Sequence, residues 1–354
     1  MMSHLIILLC LTFVDPVMTS IVGTGHQGYS GDGGPASMAE LNQPFDVAYD
    51  RNGHLYLSDT FNQRIRKVDA RSGIITTIVG SGEKGFGGDG GPATEAKLDE
   101  PYGLAFDAAN NLYIVDRLNR RIRKVDANTG VITTIAGDGS KTSTGDGGLA
   151  TKAGLVEPNG IAIARDTLYI ADVAGHRVRA VDLESGIIST FAGDGQAKDL
   201  GDQGPASRAS VNGPRAVDVA QDGSVYILER NGHTLRMVDG ATGVIRTIAG
   251  TGKKGYSGDG GPALLATFDG PKELCLDREG NILIVETENQ VIRKLDRKSE
   301  AITTVAGSGQ RGGLGDGGSI VKAQLDRPHG VAVSPGGVVV ISDTNNHRIR
   351  AFGP

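Results

Sequence analysis

The chain has 354 residues, of which 54 are glycine and none is tryptophan. Lysine and arginine number 36 against 41 aspartate and glutamate residues, which gives a net charge of −5. That balance excludes a general attraction to nucleic-acid backbones or anionic membranes, and a content of only 2 cysteines excludes a disulfide framework. The abundance of glycine predicts many tight turns.

The N-terminus carries an apolar run from Leu5 to Val14. It is too short to span a bilayer, and its length is typical of the core of a secretory signal peptide. We expect residues 1–17 to be a signal peptide or an upstream extension, and residues 18–354 to be a single domain. A signal peptide would make the protein secreted or extracytoplasmic, whereas translation from Met18 would make it cytoplasmic.

Four short strand patterns then follow one another. An apolar run at 47–50 is separated by Asn52-Gly53, a hairpin signal, from a second run at 54–59. Alternating basic and apolar residues at 64–69 predict a third strand, and the β-branched run at 74–80 predicts a fourth. A long glycine-rich connection leads to the next unit.

This unit occurs six times, near 23–80, 81–137, 138–193, 194–250, 251–307 and 308–354. One aligned proline marks each copy, at spacings of 56 or 57 residues: Pro44, Pro101, Pro158, Pro214, Pro271 and Pro328. Six four-stranded units in series predict an all-β fold, a six-bladed β-propeller with antiparallel strands, because each sheet must bury both faces against neighbours. The G-x-G-x-x-G that begins at Gly23 recurs in three other connections, so it is a link between blades and no nucleotide cofactor is expected.

The two ends of the repeat array complement each other. The last unit stops after its third strand, at 348–352, and a fourth-strand pattern lies before the first unit, at 19–22. We therefore expect the N-terminal strand to complete the last blade, which would remove an open sheet edge.

The repeated Pro-x-Gly-(Ile/Val)-Ala pattern, followed by Asp-x-x-Asn-x-Arg-(Ile/Val), resembles the NHL repeat. The resemblance covers about residues 19–352 and implies a propeller fold. It implies little about function, because propellers of this kind serve as RNA readers, protein-binding modules, sensors and enzymes.

Two charged positions are identical in all six units. The first is the aspartate of a Gly-Asp pair, Asp32 in the first unit, for which a calcium site or an Asx turn are the alternatives; one carboxylate per loop favours the turn. The second is an arginine of the third strand, Arg66 in the first unit, for which we expect structural ion pairs rather than a basic RNA face. In the fourth and fifth units the aspartate and the arginine five residues after it change together, to Glu229 with Thr234 and to Glu286 with Val291. This joint change further predicts contacts between Asp59 and Arg64 and between their counterparts.

Functional residues are sought where the copies differ. The residue after each aligned proline should lie at the mouth of the central channel, and this set is our candidate ligand site: Phe45, Tyr102, Asn159, Arg215, Lys272 and His329. Asp46 and Glu273 follow two of these positions. A small anion would contact Arg215, Lys272 and protonated His329 while stacking on Tyr102.

Three functions remain open. The preferred one is a non-catalytic module that binds a protein or a small molecule, with no cofactor, no membrane span and a monomeric state. The second is a metal-dependent hydrolase, because Asn159-Gly160 looks like a ligand turn of the gluconolactonase and paraoxonase-like propellers, with Asp46 and Glu273 completing a calcium site. The third, RNA binding, requires a basic face that the net charge of −5 speaks against.

Overall fold

A computed structural model describes residues 16–353 of the chain. The proposed signal peptide or extension therefore falls almost wholly outside the described residues. Within them, the strands form six antiparallel sheets arranged as the blades of a propeller, and no helix is long and apolar enough to cross a membrane.

The innermost strand of each blade begins at the aligned proline or just after it. These strands are β2 (Pro44–Tyr49), β6 (Pro101–Phe106), β10 (Pro158–Ala164), β14 (Pro214–Val219), β19 (Pro271–Leu276) and β23 (Val331–Val333). Each innermost strand contacts those of the two adjacent blades, so together they surround a central channel. The second strands pair with them: β3 (Leu55–Asp59), β7 (Leu112–Asp116), β11 (Thr167–Asp172), β15 (Val225–Glu229), β20 (Ile282–Glu286) and β24 (Val339–Asp343).

The third strands carry the repeated arginine. They are β4 (Arg64–Val68), β8 (Arg121–Val125), β12 (Arg177–Asp182), β16 (Thr234–Val238), β21 (Val291–Leu295) and β25 (Arg348–Phe352). The outermost strands are β5 (Ile75–Val79), β9 (Ile132–Ala136), β13 (Ile188–Ala192), β17 (Ile245–Ala249), β22 (Ala301–Ala306) and, for the last blade, β1 (Thr19–Val22). A two-residue strand, β18 (Gly261–Pro262), adds to the edge of the fifth blade.

Single turns of 3₁₀ helix occupy the connections. Six lie between an outermost strand and the next blade: Ala36–Met38, Ala93–Glu95, Ala150–Lys152, Ala206–Arg208, Ala263–Leu265 and Ile320–Lys322. Two more follow second strands, at Thr60–Asn62 and Thr344–Asn346. Apolar side chains from neighbouring blades fill the spaces between the sheets, as where Val22 packs with Leu57 and Ile349.

The predicted closure is confirmed. Thr19 lies opposite Ala351, Ser20 opposite Arg350 and Val22 opposite Ile349, in antiparallel register. The first strand of the described residues therefore completes the last blade.

The two charged positions that are identical in all six units form ion pairs with each other. Arg66 is fully buried, and its guanidinium contacts Asp32 at 2.8 Å and Asp59 at 3.3 Å. The loop aspartate pairs with the strand arginine at 2.6–2.8 Å in every blade: Asp32–Arg66, Asp89–Arg123, Asp146–Arg179, Asp202–Arg236, Asp259–Arg293 and Asp316–Arg350. The expectation of structural ion pairs is thus confirmed.

Two other expectations about these residues are wrong. Asp32 accepts hydrogen bonds from Arg66 and Tyr29 instead of closing an Asx turn on its own backbone. Asp59 contacts Arg66 and not Arg64, whose guanidinium donates to the carbonyls of Asn62 and Ser81. Arg66, two positions after Arg64 on the same strand, is the buried arginine, and its side chain extends back to Asp59 at the end of the neighbouring strand.

Candidate functional site

The six divergent positions lie together at one end of the channel. This end, the channel mouth, is where the innermost strands begin and where the turns between second and third strands lie. Adjacent blades are joined there by threonine hydroxyls: Thr60 donates to the carbonyl of Pro101 at 2.8 Å, and Thr344 to that of Pro44 at 2.7 Å. The frame that carries the six side chains is therefore fixed by hydrogen bonds between blades.

Aromatic rings fill the half of the mouth formed by blades six, one and two. The ring of Phe45 stacks on Tyr102 with centroids 4.4 Å apart, and it lies 4.2 Å from the ring of His329. Arg117 lies over the Tyr102 ring at 4.9 Å, and Arg215 at 5.3 Å. Because Phe45 and these arginines already contact the Tyr102 ring, the structure does not support the expectation that a ligand stacks there.

His329 is neutral in this environment. Its burial, with Lys272 and Arg215 nearby, lowers the pKa of its imidazole well below the usual range. Its Nδ1 lies 2.7 Å from the carbonyl oxygen of Arg327, so Nδ1 carries the proton and donates it. The expectation of a protonated His329 is therefore wrong, because burial beside two cations disfavours the charged form.

Basic side chains occupy the half of the mouth formed by blades four and five. Arg215 is 6% exposed and Lys272 is 7% exposed. Burial, followed by repulsion from Arg215, Arg230 and Arg327, lowers the pKa of Lys272 to about 7. Asn159, on blade three between the two halves, is also buried, and its amide donates to the Glu157 carbonyl at 2.9 Å.

Acidic side chains lie one layer below the mouth. Both carboxylate oxygens of Asp46 accept backbone amides, from Val47 and from Leu104 of the next blade, each at 2.8 Å. Burial raises the pKa of Asp46 to about 6, and burial together with the Asp46 charge raises that of Glu273 well above its usual range. These acids line a channel cavity of about 250 Å³ that also contains Asp218 and Cys275.

The predicted calcium ligands fit a metal ion poorly. The Asp46 oxygens are already hydrogen-bonded, Asn159 belongs to the layer above, and Arg215 brings a positive charge close to Glu273. In residues 16–353, no group of three or more histidine, cysteine, aspartate or glutamate side chains is placed to hold a metal.

Sequence reasoning missed a second divergent position at the mouth. The residue after the acid of the second strand is Thr60, Arg117, Val173, Arg230, Thr287 or Thr344. The threonines donate to the aligned prolines of the next blades, whereas Arg117 forms ion pairs with Glu100 at 2.7 Å and Glu157 at 2.8 Å. Arg230 stands beside Lys272, and its departure from threonine is the signal that could have identified it.

Comparison with protein-family models and known proteins agrees with this architecture. The model of the NHL repeat matches residues 325–352, and that of the Teneurin NHL domain matches residues 18–86 and 82–144. With six blades of this pattern, one conclusion follows. The chain belongs to the NHL-repeat family of β-propellers.

Several curated proteins contain a similar region. Protein SUPPRESSOR OF QUENCHING 1, chloroplastic, of Arabidopsis thaliana is 31% identical over 88% of this chain and 30% of its own length. NHL repeat-containing protein 2 of Gallus gallus is 26% identical over 87% of this chain and 46% of its own length. The NHL-repeat chain thus spans less than half of the length of these relatives, 30% of the first and 46% of the second.

Solved structures share the fold at low identity. An auxiliary nutrient binding protein from Bacteroides thetaiotaomicron superposes with a TM-score of 0.69 at 18% identity, covering 96% of this chain and 76% of that one. A putative gluconolactonase does so with a TM-score of 0.59 at 10% identity, covering 96% and 92%. At such identities the likeness establishes the fold alone.

Proposed function

We propose that this NHL-repeat propeller is a non-catalytic binding module that takes a small-molecule or protein partner at the channel mouth. One observation carries the proposal. Arg215 and Lys272 are more than nine-tenths buried at the mouth, and within residues 16–353 neither has an acidic partner within 4.0 Å or a side-chain hydrogen bond. Burial of a cation without an ion pair or a hydrogen bond costs free energy, which a bound partner would offset.

The frame around these cations supports the same proposal. Threonine hydroxyls join blade six to blade one and blade one to blade two, and the Arg117 ion pairs join blades two and three. Side chains held on such a frame lose little further conformational entropy on binding, so the contacts they make contribute more of their energy to affinity.

The proposal is tested by a thermal-shift screen of small organic molecules, followed by calorimetric titration of each ligand found. We expect Arg215→Ala to weaken binding, because it removes a buried mouth cation that has no ion-pair partner among the described residues. Arg246→Ala is the matched control, since that arginine is exposed on an outermost strand. Ligands that bind both variants as they bind the wild type would place the binding surface elsewhere.

A metal-dependent hydrolase is the second candidate. The observation in its favour is that two carboxyl groups, those of Asp46 and Glu273, line the same channel cavity. Calcium or zinc binding that is detected by calorimetry and is abolished by Asn159→Ala would support the hydrolase and count against the module.

A further inference from the structure

The mouth has an uncompensated positive side. Arg215, Arg230 and Lys272 come from blades four and five, and none of them forms an ion pair within 4.0 Å or a side-chain hydrogen bond with another described residue. The other arginines of the mouth differ in this respect. Arg117 pairs with two glutamates, and Arg327 pairs with Glu288 at 2.9 Å.

A cleft of about 380 Å³ opens beside these cations. Lys272 and Arg230 line it, and both of its acidic residues already have basic partners: Asp269 pairs with Lys254 at 3.4 Å, and Glu288 pairs with Arg327. Two ammonium groups, two guanidinium groups and two carboxylates thus line one small space, and Arg215 is close enough to Lys272 to lower its pKa. The excess charge is positive, and among the described residues neither Lys272 nor Arg230 has an acidic partner within 4.0 Å.

The electrostatics of Lys272 report the same imbalance. Its ammonium would be a permanent cation at the surface, but burial and the neighbouring arginines lower its pKa to about 7. Glu288 is the acid that partly opposes this effect. An anion bound in the cleft would reverse the shift, because an adjacent negative charge favours the protonated amine.

We propose that this cleft binds a small organic dianion, a phosphate monoester or a dicarboxylate, through Lys272 and Arg230, with Arg215 contributing charge from the mouth ring. This rests on the proposed function of the mouth as a binding surface and adds the class of ligand. A guanidinium presents paired N–H donors that match two oxygens of a carboxylate or phosphate, and a lysine adds a point charge. Three cations beside one cleft favour a ligand with two negative charges over a monoanion.

The proposal predicts a proton linkage. Free Lys272 loses its proton as the pH rises past about 7, whereas the bound anion keeps it protonated, so binding near pH 8 takes up a proton. Affinity for a dicarboxylate, which is fully ionised above about pH 7, should fall by up to roughly tenfold per pH unit above that point. The charged and titratable groups around the Lys272 amine from all sides are Arg215, Arg230, His233, Lys254, Asp269, Glu273, Glu288, Arg327 and His329.

The experiment is a calorimetric titration of the protein with inorganic phosphate, phenyl phosphate and succinate at constant ionic strength. We expect at least one of these dianions to bind. Chloride, added at the same total concentration of negative charge, should compete poorly with it. The succinate titration, repeated near pH 8 in two buffers of different ionisation enthalpy, should give heats that differ by the uptake of a proton. Preference for phenyl phosphate over succinate assigns a phosphate monoester, and the reverse preference assigns a dicarboxylate.

Variants separate this site from general charge effects. Lys272→Met should weaken binding by roughly tenfold or more and abolish the proton uptake. Arg230 is half-buried in a turn, and Arg230→Gln should weaken binding by a similar factor. Lys84→Met is the matched control. Lys84 is the counterpart of Lys254 in another blade connection and pairs with Asp99 at 3.3 Å, so its loss should change affinity by less than about twofold.

Two results would overturn the proposal. The first is absence of dianion binding in the millimolar range while Arg215→Ala still weakens some other ligand of the mouth, which would leave the binding module standing. The second is dianion binding that neither Lys272→Met nor Arg230→Gln reduces. Unfolding temperatures of all variants show whether a loss of binding reflects a loss of the fold.

Discussion

Glu229 shows how far one blade departs from its neighbours at a single side chain. It is the acid at the end of the second strand of blade four, fully buried, 3.4 Å from Arg236 and hydrogen-bonded to Thr234. Burial raises its pKa to about 8, whereas the equivalent Glu286 reaches about 6. Because Asp202 already pairs with Arg236 at 2.6 Å, the guanidinium keeps one ionised partner when Glu229 is protonated.

We predict that the free energy of unfolding of Glu229→Gln increases relative to that of the wild type as the pH rises. A folded pKa of about 8 lies above that of the unfolded chain, so the folded state binds the extra proton. The wild type therefore loses stability between about pH 5 and pH 8, and the variant, which cannot titrate there, does not. Denaturant midpoints of both proteins across this range test the prediction.

Glu286→Gln is the control for these measurements. Its stability relative to the wild type should stop increasing near pH 6, because the pKa of Glu286 is about 6. A difference between Glu229→Gln and wild type that stays constant over the whole range would contradict a raised pKa at this site.

At the same scale, sequence and structure agree on positions more than on partners. The fixed register after each aligned proline placed Phe45, Tyr102, Asn159, Arg215, Lys272 and His329 at one level of the channel, and the structure has them there. The neutral state of His329 and the lack of an ion pair at Lys272 could not be predicted, because charge state depends on burial and on arginines that are distant in the sequence: Arg215, Arg230 and Arg327.

At the scale of elements, the buried arginine ties a loop to a strand. Arg123 of β8 is fully buried and holds Asp89 of the preceding connection at 2.6 Å and Asp116 of the neighbouring strand at 3.1 Å. Asp116 also accepts the amide of Asp99 at 2.8 Å. The glycine-rich connection is therefore part of the blade it precedes, although its sequence is typical of a loose linker.

We predict that Arg123→Met lowers the free energy of unfolding by about 3–5 kcal/mol, because it leaves Asp116 buried without its cation. Arg121→Met is the matched comparison on the same strand. The Arg121 guanidinium donates to the carbonyls of Asn119 and Asp138 and is only half-buried, so its loss should cost about 1 kcal/mol. Chemical denaturation measures both values, and equal losses would refute the distinction.

The aspartate and the arginine do change together in the sequence of blades four and five, but the contact inferred from this change was wrong. Asp59 lies opposite Arg64 in the strand register, which made the pair plausible. Register fixes which backbone positions are opposite, whereas the length of an arginine side chain lets Arg66 reach the acid from two residues away. Sequence patterns give the first kind of information and not the second.

At the scale of the whole molecule, stability depends on the pairing of β1 with β25. Val22 is 1% exposed and packs with residues of the first and last blades, whereas Thr19 on the same strand is exposed. The 57-residue period and the displaced fourth strand were enough to predict this closure. The added strand β18 was not predicted, because two residues of Gly-Pro carry no strand pattern.

We predict that Val22→Asp opens the ring. A buried carboxylate without a partner would release β1 and expose the edge of β25, which invites pairing with other chains. Size-exclusion chromatography with light scattering should show larger species and an unfolding temperature well below that of the wild type. Thr19→Asp, the control, should keep the wild-type elution volume, and an unchanged profile for Val22→Asp would show that closure contributes little.

The antiparallel closure also orients the molecule. Arg348 lies opposite Asp343 at the mouth edge of the last blade, whereas Thr19 and Ala351 lie opposite each other near the far edge. The described chain therefore enters and leaves the ring side by side, on the face away from Arg215 and Lys272. A tether at either end would hold the propeller by its back and leave the mouth directed outward, and two tethers would share a single point of attachment.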